Sequence, residues 1–160
     1  MASWRELESD APALAEAGRA LLYRFGVGLG YLATVRPDGG PRLHPFCAIL
    51  HEGGLYGLIA HSPKQRDLLR DGRYAIHSFP SPDRDDEFYV TGRAASRGDP
   101  ELAEAVRTTM TAAGASSSGD EMLFEFDIER ALLATYKKRG EPDNWPPAYT
   151  KWADPRRSPR

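Results

Sequence analysis

The sequence predicts a mainly β, α+β fold: a small antiparallel barrel of six or seven strands, closed or partly closed, with an N-terminal helix and short flanking helices. Short apolar stretches recur along the chain with turn signals between them, which is typical of antiparallel strands. Helical periodicity is confined to the start of the chain and to two short later segments. The 160 residues, 41% of them hydrophobic, are enough for one domain with a buried core.

The first half of the chain predicts one helix and a meander of strands. The helix covers residues 10 to 25, where apolar side chains recur at helical spacing and Asp10 can cap the first turn. The Asp-Gly pair in RPDGG predicts a tight hairpin turn, and HEGG predicts the next turn. These turns separate three predicted strands: GLGYLATV, PRLHPFCAIL and LYGLIA.

The second half predicts two short helices among three further strands. The first helix has Ser62 as its N-cap and Pro63 at its first position, and the second runs from Asp99 to Gly114. Strands are predicted in RYAIHSF and EFYVTGRAASR. The closing strand alternates apolar residues on one face, which are Met122, Phe124, Phe126, Ile128, Leu132 and Ala134.

The last residues are predicted to be a tail, residues 141–160, attached to a single barrel domain of residues 1–140. The tail contains five prolines and two tryptophans. So much proline argues against a helix or strand of its own. Because Trp145, Tyr149 and Trp152 are costly to leave in water, we expect the tail to pack on the barrel or on a neighbouring subunit.

Composition excludes several functional classes. The net charge of −2 provides no cationic field for nucleic acid or for an anionic membrane surface. The single cysteine, Cys47, rules out an internal disulfide, and no apolar run reaches the length of a signal peptide core or a membrane span. We therefore expect a cytoplasmic protein. The four histidines lack zinc-site spacing, so no metal is predicted.

Four cationic side chains crowd into the loop and helix after the third predicted strand: Lys64, Arg66, Arg70 and Arg73. Lys64 and Arg66 lie in the opening turn of the helix, where unpaired backbone N–H groups favour an anion. Arg66 can hold a phosphate with two parallel bonds, Lys64 adds a point charge and Ser62 adds a hydroxyl. The residues alone leave an alternative, in which both cations are solvated and pair with Asp67 and Asp71.

The order of these motifs resembles the pyridoxamine 5'-phosphate oxidase-like family, the FMN-binding split barrels. In that family the first hairpin has an apolar strand, an Asp-Gly turn and a strand with an early proline, matched here by PRLHPF. The loop after the third strand carries a small hydroxyl residue and a lysine before an Asn- or Asp-Leu pair, matched by SPKQRDLL. The resemblance covers roughly residues 20 to 135.

The resemblance implies a split β-barrel, usually a homodimer, with the flavin in a groove at the subunit interface. The ring would lie along the second strand, and the phosphate would be met by the loop before the short helix. The implied cofactor-binding residues are Arg42, Leu43, His44, Pro45, His61, Ser62, Lys64 and Arg66. His44 is also a candidate catalytic residue, although a strand histidine more often makes an ordinary hydrogen bond.

The implied activity is hydride transfer between FMN and a small planar substrate. A true pyridoxamine phosphate oxidase is not expected, because those enzymes end in a segment with arginine and histidine, whereas no histidine follows His77 here. Relatives of this size also use an 8-hydroxy-5-deazaflavin coenzyme or haem, so three cofactors stay open. The rival hypotheses are a non-catalytic flavin- or haem-binding protein and a cofactor-free interaction domain. The sequence identifies neither the substrate nor the electron acceptor.

Overall fold

The computed structural model describes residues 1–80, 82, 84–137 and 145–156. Four helices lie in these ranges: α1 Trp4–Asp10, α2 Pro12–Leu22, α3 Pro63–Arg70 and α4 Pro100–Ala112. Eight strands accompany them: β1 Leu29–Val35, β2 Pro41–Cys47, β3 Ile49–His51, β4 Gly54–Ile59, β5 Arg73–Ser78, β6 Glu87–Ser96, β7 Met122–Thr135 and β8 Ala148–Ala153. Of the described helices, none is long and apolar enough to cross a membrane.

The eight strands form one antiparallel sheet that curls into a partly closed barrel. Its order is β2-β1-β5-β6-β7-β4-β3, and β8 pairs with β7. The strands at the two ends of this order, β2 and β3, follow each other in the chain with only Ala48 between them. The Ala48 amide donates to the Gly28 carbonyl at 2.9 Å. The two ends of the sheet therefore meet at Ala48, and the predicted fold class is confirmed.

Aromatic packing inside the barrel holds the two ends together. The Phe46 ring of β2 lies 5.2 Å from the Phe126 ring of β7, and Tyr74 of β5 lies 4.9 Å from that same ring. A Cβ atom at Gly57 of β4 would lie only 2.4 Å from the Phe46 ring. Glycine at this position lets Phe46 cross the gap between β2 and β4, where side-chain packing takes the place of a backbone ladder.

The helices cover the barrel on two sides. The Trp4 ring of α1 meets Phe88 of β6 edge-on at 5.9 Å and is fully buried, so α1 extends the main core. From α4, Val106 and Met110 pack on β3, β4 and the start of β7 in a second buried cluster. These helices bury the apolar sheet surface that they cover.

Strand β7 is the longest strand and has three partners along one edge. β6 pairs with β7 along most of its length. The opposite edge is shared by β4 at Met122 to Glu125, by Ala2 at Ile128, and by β8 at Arg130 to Thr135. Both the start and the end of the described chain therefore complete the edge of β7.

The prediction that the proline-rich tail forms no strand is wrong, because β8 is a six-residue strand. Pro146 and Pro147 precede β8 and Pro155 follows it, so every residue of the strand keeps a backbone N–H for the β7 ladder. The predicted boundary between the barrel domain, residues 1–140, and the tail, residues 141–160, lies outside the described residues.

Three further predictions need correction. The second predicted strand divides at Ala48 into β2 and β3. The first helix begins at Pro12 rather than after Asp10, because a separate helix, α1, precedes it and is capped by Ser3 and Glu6 in a capping box. Pairing between β6 and β7 shifts at Glu129. The bulge shifts the burial pattern, so that Ala131 is buried, whereas Leu132, predicted to share the face of Phe126 and Ile128, is only half-buried.

We expect deletion of residues 141–160 to destabilise the barrel by about 2 kcal/mol or more, because β8 buries Trp152 against the core. The melting temperature should fall by about 5 °C or more. Differential scanning calorimetry and sedimentation velocity measure both stability and assembly. Deletion of residues 157–160 alone is the control and should change neither. An unchanged melting temperature and sedimentation coefficient after the longer deletion would contradict this role of β8.

Candidate functional site

The candidate anion loop, residues 61–66, joins β4 to the first turn of α3. Ser62 caps the helix as predicted, since its hydroxyl oxygen accepts from the Gln65 amide at 3.4 Å. The buried Gln65 side chain donates from Nε2 to the Ile59 carbonyl at 2.9 Å. Ser62 therefore caps the first turn of α3, and Gln65 fixes that turn to the end of β4.

A buried carboxylate holds α3 against the first hairpin. The Asp67 side chain is 2% exposed and accepts from Arg42 Nε at 2.7 Å, from Thr34 Oγ1 at 3.0 Å and from Arg70 Nη1 at 3.2 Å. Burial alone would raise the pKa of Asp67, but hydrogen bonds from Arg42, Thr34 and Arg70 outweigh it and the pKa is lowered. Asp67 thus stays ionised and ties α3 to β1 and β2.

The second acid next to the loop is also engaged elsewhere. Asp71 takes three hydrogen bonds from the Arg73 guanidinium, from Nη2 at 2.5 Å and from Nε at 3.0 and 3.1 Å, and these bonds hold its pKa at about 2. The alternative that Lys64 and Arg66 pair with Asp67 and Asp71 therefore does not hold. Within the described ranges, neither Lys64 nor Arg66 makes an ion pair.

Lys64 lies half-buried beside the inner face of β2. Burial lowers the pKa of its ammonium group, and its charge interacts with Cys47, whose thiol pKa is raised by burial. Burial also lowers the pKa of His44, and the charges of Lys64 and Arg42 lower it further. His44 is therefore neutral near pH 7.

The His44 ring has a buried nitrogen without a hydrogen-bond partner. The residue is only partly buried, but its Nε2 atom has no contact with solvent and no partner among the described residues. A buried polar atom left unsatisfied costs free energy, so the orphaned ring nitrogen of His44, beside a half-buried ammonium group, is a candidate partner for a polar ligand atom. These groups suit an anionic cofactor that also accepts or donates one hydrogen bond.

The eight predicted site residues do not share one face. On β2, Arg42 and His44 alternate with Leu43 and Pro45, so the latter two lie on the outer face of the sheet. The structure brings Arg42, His44 and Lys64 together, with Ser62 at the adjacent helix cap. His61 and Arg66 are exposed beside them. Whether all eight bind a cofactor stays a prediction.

Two open clefts lie elsewhere on the sheet. A cleft of about 390 Å³ is lined by His77, Phe79, Glu87, Tyr136 and Trp145 among others. The second, which we call the β7–β8 cleft, has about 440 Å³ and is lined by Tyr89, Arg130, Leu132, Lys151, Trp152 and Ala153. Neither cleft was predicted from the sequence; for Tyr89 the alternation along β6 was the one signal. In the described part of the chain, no three metal-ligating side chains cluster.

Comparison with known proteins gives structural matches only. No family model and no curated protein matches the sequence. A haem-binding protein from Mycobacterium smegmatis has a TM-score of 0.61 and 20% identity over 86% of this chain. A NimC/NimA family protein from Clostridium acetobutylicum has a TM-score of 0.60 and 21% identity over 79% of this chain and 90% of its own.

A third solved structure matches almost the whole of this chain and shows its fold. It is a protein of the pyridoxinephosphate oxidase family from Clostridium acetobutylicum, with a TM-score of 0.57 and 9% identity over 93% of this chain and 95% of its own. This chain has the pyridoxamine 5'-phosphate oxidase-like split-barrel fold. This chain matches 57% of the length of the haem-binding protein from Mycobacterium smegmatis. At such low identity the likeness establishes the fold alone.

Replacing Asp67 by Asn should destabilise the split barrel by about 2–3 kcal/mol at pH 7, because Arg42 and Arg70 lose their shared charge partner. The expected loss of stability is smaller than for a fully buried ion pair, because the Arg42 and Arg70 side chains are 24% and 39% exposed. Urea unfolding measures the difference. Asp71→Asn, in an exposed pair, is the matched control with a smaller loss.

The contribution of Asp67 to the free energy of unfolding should depend on pH. Since its folded pKa is lowered, the stabilisation is complete above the unfolded pKa of about 3.9 and is lost as the pH falls through the folded pKa. The stabilities of the parent protein and Asp67→Asn should therefore converge in acid. A constant difference from pH 7 to pH 2 would show that the carboxylate charge is not responsible.

His44 should titrate below the ordinary histidine pKa of about 6.5, and Lys64→Ala should raise its pKa by removing a nearby positive charge. Imidazole NMR signals followed against pH measure this directly. Arg66→Ala is the control, because Arg66 is exposed and should leave the His44 titration in place. An identical His44 titration in all three proteins would show that the charge of Lys64 does not affect the His44 pKa.

Proposed function

We propose that this split barrel is an FMN-binding oxidoreductase that transfers a hydride between the flavin and a small planar substrate. The observation that carries the proposal is the half-buried Lys64 ammonium, which has no acidic partner within the described residues. A desolvated charge without a counter-charge is costly, and a phosphate group would supply that charge.

The loop offers further groups for a phosphate. Ser62 uses an oxygen lone pair for the cap, so its O–H proton stays available for donation. The Arg66 amide bonds to the Ser62 carbonyl at 3.2 Å, but its exposed guanidinium is free to form a two-pronged contact. These two groups and Lys64 would together neutralise a phosphate monoester at the start of α3.

His44 would hold the ring of the cofactor. Its neutral imidazole has a buried Nε2 atom that would gain a hydrogen bond from a polar edge of the ring. Arg42 would act by keeping α3 in place through Asp67. The flavin, when bound, would supply hydride transfer at its N5 atom, and the protein would supply binding and orientation.

We also propose a homodimer, in which a second copy covers the outer face of the first hairpin. Leu43 is 62% exposed and pairs with Ala33 of β1, while the exposed Pro45 pairs with Tyr31. An exposed apolar sheet face of this kind is what a subunit interface buries. The flavin groove would then lie between subunits.

With one cysteine and no disulfide, a cytoplasmic location remains part of this proposal.

The 8-hydroxy-5-deazaflavin coenzyme also carries phosphate and would use the same loop. Haem is a second candidate, supported by the structural likeness to the haem-binding protein from Mycobacterium smegmatis. Lys64 and Arg66 would then bind the haem propionates. A ring nitrogen of His44 or of the exposed His61 would be the candidate ligand of the haem iron.

Parallel titration of cofactor-stripped protein with FMN, the deazaflavin coenzyme and haem distinguishes these candidates. Absorbance and tryptophan fluorescence report binding, and reduction of the bound flavin by a nicotinamide dinucleotide reports turnover. Micromolar or tighter binding of FMN with reduction supports the oxidoreductase. Binding without reduction would favour a carrier or sensor, and binding of none of the three would overturn the proposal.

The double variant Lys64→Ala, Arg66→Ala should weaken FMN binding by about 2–4 kcal/mol, because it removes two charge-assisted phosphate contacts. Riboflavin, which lacks the phosphate, should bind both proteins equally. Arg36→Ala, an exposed cation in the β1–β2 turn, is the matched control. Unchanged FMN affinity in the double variant, measured by isothermal titration calorimetry, would refute the phosphate role.

A further inference from the structure

The β7–β8 cleft lies on the outer face of the sheet, where β6, β7 and β8 run side by side. Its volume of about 440 Å³ falls within the range of small-molecule sites. None of its lining residues belongs to the candidate cofactor site, so ligand binding in this cleft does not require flavin binding at α3.

Strand register explains how the cleft is built. Tyr89 lies opposite Leu132, and Leu132 lies opposite Lys151, so these three side chains form one row across the strands. Arg130 and Ala153 form part of the neighbouring row on the same face. Ala153 has no side chain beyond Cβ and leaves a depression between the larger groups.

The cleft combines apolar walls with two free cations. Tyr89 and Leu132 supply aromatic and aliphatic surface, whereas Trp152 lies opposite Ala131 and packs its ring toward the core. Arg130 and Lys151 are diagonal neighbours, which lie about 7–8 Å apart in such a ladder, so their charged ends can reach one anionic group. Across the described residues, neither cation has a carboxylate partner.

Groups close to these cations along β8 do not neutralise them. Lys151 Nζ lies 5.8 Å from the centroid of the Tyr149 ring, a weak contact that leaves its charge uncompensated. Asp154, which follows β8, is 2% exposed and pairs with Arg156 and with the amino group of Met1. The cations of the cleft thus face solvent beside an aromatic floor.

We propose that the β7–β8 cleft binds a small planar organic anion. Its ring system would pack on Tyr89 and Leu132, and its carboxylate or other acidic oxygens would be held by Arg130 and Lys151. Arginine suits such a group because its planar fork matches two oxygens, and aromatic walls favour a planar body.

Calorimetric titration with 2-naphthoate, and with the neutral 2-naphthamide as control ligand, tests the proposal. We expect naphthoate to bind about tenfold tighter than naphthamide, which corresponds to one charge-assisted contact of about 1.4 kcal/mol. The double variant Arg130→Gln, Lys151→Gln keeps much of each apolar stem. It should remove the preference for naphthoate and leave naphthamide binding unchanged.

Two further variants locate the binding. Leu132→Glu places a negative charge on the floor and should abolish naphthoate binding, while Lys64→Ala, Arg66→Ala should leave it intact. Circular dichroism and melting temperature confirm that each variant folds. Equal affinity for both ligands, no binding to the parent protein, or loss of naphthoate binding in the Lys64, Arg66 variant alone would each overturn the proposal.

Competition with FMN tests whether the planar anion that binds in the cleft is the flavin or a separate ligand. If FMN displaces naphthoate and Arg130→Gln, Lys151→Gln weakens both ligands, the planar anion held in the cleft is the flavin itself. If FMN leaves naphthoate in place, the cleft takes a separate ligand. Either result supports the cleft as a site, and the phosphate role of Lys64 and Arg66 is decided separately by their own variant.

Discussion

The carboxylate of Asp67 is the contact on which the candidate site depends. Buried under α3, it binds Arg42 from β2 and Arg70 from α3 itself, and thereby fixes the helix to the first hairpin. Because this negative charge is fully engaged, Lys64 is left without compensation at the start of the same helix. One buried group thus both positions the loop and leaves it cationic, which is what an anion site requires.

Features decided within a few residues could be predicted from the sequence. The Asp-Gly turn, the Ser62–Pro63 start of α3 and the Asp99–Pro100 start of α4 each depend on local backbone geometry, so the residues alone indicate them. Strand β8 and the bulge at Glu129 depend on partners far away in the chain. Local preference argued against β8, and its pairing with β7 overrides that preference.

The candidate site was predictable to a similar degree. Ser62, Lys64 and Arg66 follow from a helix start rich in cations, and His44 follows from the family resemblance, which implies that the ring lies along β2. The link from Arg42 to Asp67 and the orphaned Nε2 atom of His44 could not be predicted, because both need the packed arrangement of α3 on the barrel. The β7–β8 cleft needs the register of three strands, which the bulge resets.

The shared edge of β7 also bears on how the protein folds during synthesis. A ribosome delivers β4, β6 and β7 before residues 148–153, so the second half of β7 has no partner on one side until β8 emerges. An open edge next to a buried apolar face can accept a strand from another chain. In any form of the protein that lacks a paired β8, the second half of β7 would therefore be an open edge that the β8 of another copy could complete.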